Sequence, residues 1–100
     1  MSINIENCSF EGPFASTSNL KDQSGVYLIL GNHSGDNWNL VDVGESSQVK
    51  YRIDNHDRKV CWNQQNYANL KVAVLYTDEN SRMRIEAELR SQYNLPCGQR

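Results

Sequence analysis

Arg52 and His56 stand four residues apart in the stretch GESSQVKYRIDNH, residues 44–56. On a helix, that spacing brings two side chains to neighbouring positions on one face. A guanidinium offers a planar fork of N–H donors that matches a phosphate or a carboxylate. An imidazole with an unperturbed pKa of about 6.5 holds both protonation states near neutrality and can move a proton. The pair could form one wall of a reaction site for an anionic substrate. It also suits an ordinary exposed helix, with Arg52 bridging to Glu45, Asp54 or Asp57 and His56 favoured near the helix end by the dipole. The choice depends on what the neighbouring elements bring to the same face.

Residues 24–31, SGVYLILG, read as a strand: β-branched and aromatic residues fill it, and glycines close both ends. Alternation puts Val26, Leu28 and Leu30 on one face and Tyr27 and Ile29 on the other. NHSGDN supplies turn residues. Residues 38–44, WNLVDVG, read as a second strand, with Val41 and Val43 on one face and Leu40, Asp42 and Gly44 on the other. The short connection predicts an antiparallel hairpin. A helix follows, capped by Ser46 or Ser47, with Val49 and Ile53 as its buried stripe.

Residues 57–70 read as a polar loop anchored by Trp62 and Tyr67, and residues 71–77 as a third strand. Residues 79–93 form a second helix with Ile85, Leu89 and Tyr93 on its core stripe, and Pro96 follows its end. Residues 1–23 read as an N-terminal extension that packs Phe10, Phe14 and Leu20 on the edge of a domain spanning 24–100. The order strand, strand, helix, strand, helix predicts an α+β fold: a small three-stranded antiparallel sheet flanked by helices.

One hundred residues suffice for one domain with a modest core, and 38% apolar against 22% charged residues fits a soluble globule rather than a disordered chain. The longest apolar run, residues 26–30, is far too short to cross a bilayer, and MSINIENCSF does not read as a secretory signal. Three widely spaced cysteines, Cys8, Cys61 and Cys97, predict reduced thiols and a cytoplasmic protein. No C-x-x-C pair supports zinc binding by Cys61 and Cys97. The net charge of −2 does not advertise a nucleic-acid binder, yet it is uneven. Residues 1–45 carry one base and six acids, a balance of −5, whereas residues 46–100 carry nine bases and six acids, a balance of +3. A phosphate-facing surface should therefore come from the second half.

Five pieces of the sequence follow one another in a specific order: Gly25-Val26-Tyr27 on the first strand, Asp42-Val43-Gly44 on the second, Arg52 eight residues after Gly44, His56 four after Arg52, and Glu86 in RIEAELRSQYNLPCG on the last helix. This order and spacing resembles the GIY-YIG nuclease domain, over about residues 24–99. Two positions depart from the family pattern. Asp42 stands where the second motif has its tyrosine, and Gln99 is only an approximate match to the asparagine that follows the proline.

The resemblance implies a metal-dependent endonuclease that hydrolyses nucleic-acid phosphodiesters, DNA first among them. Tyr27, Asp42, Arg52, His56 and Glu86 would form the catalytic set. Glu86 would hold Mg²⁺ or Mn²⁺, a role a single carboxylate can fill because Mg²⁺ keeps most of its waters. The ordinary alternative is a helix glutamate paired with Arg82 or Arg90. Arg52 would bind the scissile phosphate, His56 would shuttle a proton, and Tyr27 would orient or deprotonate the attacking water, although a phenol with pKa near 10 is a poor base. Asp42 has three possible roles: a second carboxylate on the cation, a general base, or a partner for Arg52 in an inactive site. Lys50, Arg58, Lys59 and Lys71 are expected on the nucleic-acid backbone, giving salt-dependent affinity without sequence choice. A partner protein could supply targeting. The rival readings are a catalytically inactive module of the same fold that binds nucleic acid or protein, and a small interaction protein with no nucleic-acid role.

Overall fold

A computed structural model describes residues 2–98. Strands β1 (Ser2–Ile5) and β2 (Cys8–Phe14) precede a single 3-10 turn at Thr17–Asn19. Strands β3 (Gly25–Asn32) and β4 (Asn39–Ser46) form the hairpin. Helices α1 (Val49–Asp54) and α2 (Lys59–Gln64), strand β5 (Asn69–Tyr76) and helix α3 (Glu79–Gln92) complete the chain. The sheet is antiparallel with order β1-β2-β5-β3-β4.

The sheet has five strands where the sequence predicts three. The difference lies in the N-terminal residues, whose turn and polar composition hides their pairing. Ser2–Ile5 pairs with Cys8–Phe14, and β2 then covers the free edge of β5. The β2–β5 register shifts between Glu11 and Phe14, around Pro13. A proline has no N–H for a ladder, so it is tolerated at such an irregularity. Phe10 enters the core completely, and Leu20 and Phe14 pack where the domain edge was expected.

All eight residues of β3 are buried, because helices cover both faces of the sheet. Tyr27 and Ile29 face Val49 and Ile53 of α1 and Trp62 of α2. Val26, Leu28 and Leu30 face Ile85 and Leu89 of α3. The expected alternation holds in β3 and breaks in β4. Ile29 pairs with Asp42 but Leu30 pairs with Leu40, so Val41 is an extra residue. This bulge lets Val41 join the Tyr27 face while Val43 stays on the opposite one, contrary to the expected shared face.

Local boundaries also differ. Helix α1 begins at Val49 after Gln48, whose side chain makes no cap; Ser46 instead accepts the Gln48 amide at 3.0 Å. Residues 59–64 are helical rather than loop, because Trp62 has a buried seat to pack into. Tyr93 caps α3 and is 36% exposed, so the core stripe of that helix is Ile85 and Leu89.

The C-terminal segment wraps the outer edge of β4. Leu95 buries on the α3 face and Cys97 on the α1/α2 face. On the way, the Cys97 amide donates to the Val41 carbonyl at 3.1 Å, and Arg90 donates to the Val43 carbonyl. These bonds satisfy acceptors that an open sheet edge would leave unpaired. A Cys61–Cys97 disulfide ties the segment to α2, which corrects the expectation of reduced thiols. Cys8 is free. The inference of a cytoplasmic location rested on unpaired cysteines and loses that premise. Among the described residues, no helix is long and apolar enough to cross a membrane.

Candidate active site

A cleft of about 240 Å³ opens at the β4 edge, where α1, α3 and Arg58, the residue before α2, come near the hairpin. Tyr27 reaches it from β3, Arg52 from α1, and Glu86 and Arg90 from α3. Glu45, Arg58 and Gly98 complete its rim beside Gly44. A phenol, a guanidinium and a carboxylate that are far apart in sequence therefore line one cavity, as expected.

Tyr27 and Gly44 are cross-strand partners, and the tyrosine ring lies across the glycine. A Cβ on Gly44 would fall 2.2 Å from the phenol oxygen, so this position has room only for glycine. The crossing aims the hydroxyl toward His56, whose Nε2 lies 2.7 Å away. His56 sits just beyond the end of α1, not on the helix face, and is almost completely buried. Its Nδ1 accepts the Arg58 amide at 3.0 Å. A neutral imidazole that accepts at Nδ1 carries its proton on Nε2, so His56 donates to the Tyr27 oxygen. The proton of the phenol is then directed away from the ring.

Burial pushes the His56 pKa down to about 4, with Arg52 and Arg58 adding to the shift against Asp42 and Asp57. At neutral pH the ring is uncharged, and the 3.3 Å approach of Nδ1 to Asp57 is not an ion pair. Burial likewise raises Tyr27 to about 12; Arg52 and Arg58 pull it down and Asp42 pushes it up. Such a phenol stays protonated and orients water better than it deprotonates it.

Arg52 meets the exposed Asp57 at 3.2 Å, and its side chain remains 39% exposed. Glu86 accepts Arg90 Nε at 2.9 Å, the i,i+4 pairing considered from sequence, and both groups are mostly buried. The carboxylate is the hard oxygen donor that Mg²⁺ or Mn²⁺ takes, and it borders a cavity large enough for waters and a phosphate oxygen. Glu86 has the donor chemistry such a cation takes, and Arg90 already occupies one of its oxygens. Among the described residues, no group of three or more His, Cys, Asp or Glu side chains is placed to hold a metal by itself.

Asp42 does not pair with Arg52, as one of its expected roles required, and its oxygens are engaged by other donors. It is completely buried, and its Oδ2 accepts Arg58 Nε and Trp62 Nε1, each at 2.8 Å. Oδ1 accepts the Val43 amide at 2.8 Å and Arg90 Nη2 at 3.3 Å. Its arginine partners are Arg58 and Arg90 rather than Arg52. Arg90 stands between it and Glu86, so the two carboxylates do not face one cation. With its oxygens engaged by donors, Asp42 is poorly placed to take a proton from water.

The expected backbone-contacting cations scatter. Arg58 lines the cleft but is held by Asp42. Lys59 Nζ donates to the Asp54 carbonyl at 2.6 Å. Lys71 pairs across from Leu30 and lies 5.4 Å from the Trp38 ring centre, on the α3 face of the sheet and away from Tyr27. Lys50 is half-buried on α1, two residues before Arg52. Arg90, Trp62 and Gly98 were not assigned to the site from sequence. Only Arg90 carried a signal, its four-residue spacing from Glu86. Gly98 has φ +75°, and a Cβ there would meet Asp42 Oδ1 at 2.5 Å. Gln99 lies outside the described residues. Compared with models of known families, with curated proteins and with solved structures, the chain finds no match in any of the three, so its functional reading rests on the chemistry of this cleft.

Proposed function

We propose that the protein is a divalent-metal-dependent endonuclease with a GIY-YIG-like site, hydrolysing nucleic-acid phosphodiesters. The observation that carries this reading is the meeting of Tyr27, Arg52 and Glu86 around one cleft. Arg52, half-exposed at the rim, binds the scissile phosphate and gains strength as negative charge accumulates on it. The Tyr27 hydroxyl accepts from His56 and directs its own proton toward the attacking water, which it orients. Neutral His56 acts on the phenol as a fixed donor rather than as the proton shuttle expected from its ordinary pKa. Glu86 would hold Mg²⁺ or Mn²⁺, and that ion would supply charge stabilisation for the phosphate and a more acidic water.

A second reading, a catalytically inactive module that binds nucleic acid or protein, is favoured by the occupied state of Asp42 and by the Glu86–Arg90 pair. Purified protein with supercoiled DNA, branched DNA and RNA in Mg²⁺, Mn²⁺ or EDTA separates the two. Under the endonuclease reading, wild type nicks only with metal, and Arg52→Ala and Glu86→Ala each lower the rate roughly 10²–10³-fold. Salt-sensitive binding with no cleavage supports the inactive module. Cleavage that survives both substitutions betrays a contaminant and removes the nuclease reading.

A further inference from the structure

One carboxylate connects the two halves of the cleft. From Oδ1 of Asp42 the path runs to Arg90 Nη2 at 3.3 Å and from Arg90 Nε to Glu86 at 2.9 Å. Arg90 Nη1 also donates to the Gly98 carbonyl at 2.5 Å, which fixes the guanidinium between α3 and the C-terminal segment. From Oδ2 the path runs to Arg58 Nε and Trp62 Nε1. The Arg58 amide fixes Nδ1 of His56, and the Trp62 ring packs on the imidazole with centroids 4.7 Å apart. His56 in turn holds the Tyr27 hydroxyl. Every step between residues is a hydrogen bond or a ring contact, and within Arg58 the path runs along the side chain from guanidinium to backbone amide.

We propose that Asp42 is a positioning residue: it orients Glu86 through Arg90, and through Arg58 and Trp62 it fixes the His56 tautomer that holds the Tyr27 hydroxyl. This inference deepens the endonuclease reading and rests on it for its catalytic consequence, though not for its structural one. The physical case is the cost of burying an unpaired charge. A fully buried carboxylate is stable only when donors surround it, and those donors are fixed in return. An asparagine can offer one acceptor oxygen, and its amide nitrogen would face N–H groups on the other side. It would also leave the Arg58 and Arg90 guanidiniums without the negative charge between them.

Asp42→Asn is the test, with Asp36→Asn on the exposed β3–β4 connection as control. ¹⁵N NMR of the imidazoles reports the His56 tautomer without any assay of activity. Wild type should show protonated Nε2 and bare Nδ1, and Asp42→Asn should show a tautomer mixture. Where wild type cleaves, kcat should fall roughly 10–100-fold with KM held, the size of loss common for groups that orient a catalytic carboxylate or imidazole. A wild-type tautomer pattern and wild-type kcat in Asp42→Asn would overturn the proposal. If that variant does not fold, Arg58→Met keeps the backbone amide and most of the side-chain volume while removing the grip of Asp42. It should show the same tautomer mixture, and an unchanged pattern there overturns the proposal too. If wild type cleaves nothing, the nuclease reading falls while the tautomer result still decides the positioning role.

Discussion

The Tyr27 hydroxyl accepts a hydrogen bond from Nε2 of His56 at 2.7 Å, and the direction of that bond is set by a third group, the Arg58 amide on Nδ1 at 3.0 Å. The imidazole is a donor to the phenol, so the two rings form a fixed unit and not a proton relay. Their distance in sequence is 29 residues, and only the fold brings them together.

Tyr27→Phe removes the acceptor and leaves a buried N–H without a partner. The expected loss is about 1–3 kcal/mol of unfolding free energy, measured by urea denaturation. Replacing His56 by Leu in the same chain should recover part of that loss, since no orphan donor then remains. A double-mutant cycle with zero coupling would contradict the bond.

The same pair sets a pH window. The His56 pKa is about 4 in the fold against about 6.5 in the unfolded chain, so between these values the unfolded state binds the extra proton. Its contribution is full above about 6.5 and is lost as pH falls toward 4. Tyr27 works at the other end. Its pKa of about 12 exceeds the unfolded value of about 10, so its contribution is full below 10 and is lost as pH rises toward 12. Unfolding free energy should therefore fall from the neutral region in both directions. In His56→Gln the acid limb should flatten while the alkaline limb stays.

Gly44→Ala places a methyl group 2.2 Å from the phenol oxygen and the adjacent ring carbon. The ring must move, because the strand pairing holds both backbones. Overpacking of this kind costs about 1–3 kcal/mol, and the melting temperature should fall accordingly. The displaced phenol should also lose its hydrogen bond to His56, visible as a changed imidazole ¹⁵N shift. A silent substitution would mean that Tyr27 does not cross Gly44.

Cys61 and Cys97 close a loop across 36 positions. Reduction, or replacement of both by serine, should lower stability by about 2–4 kcal/mol, read from guanidinium denaturation with and without reductant. The loss should be local in its first effect. Amide exchange at Cys97, which bonds the Val41 carbonyl, should speed up before exchange in β3 does.

Much of the frame was legible in the residues. The periodicity of GVYLILGN and of KVAVLY is backbone-local and needs no knowledge of the partner strand, so β3, β4 and β5 fall close to their expected places. The four-residue spacing of Val49 and Ile53, and of Ile85 and Leu89, likewise marks the buried helix faces. Tyr27, Arg52 and Glu86, singled out in the sequence by their types and order, line one cleft. What the chain could not disclose by itself concerns pairings between distant segments. Strands β1 and β2 are weak by composition and exist because β5 offers an edge. The bulge at Val41 changes which face a side chain takes, and no alternation rule announces it. The fate of Asp42 depends on Arg58, Trp62 and Arg90 arriving from two helices, and a buried carboxylate reads the same as an exposed one until those donors are in place. Local propensity determines the elements; long-range donors and acceptors decide what each polar side chain becomes.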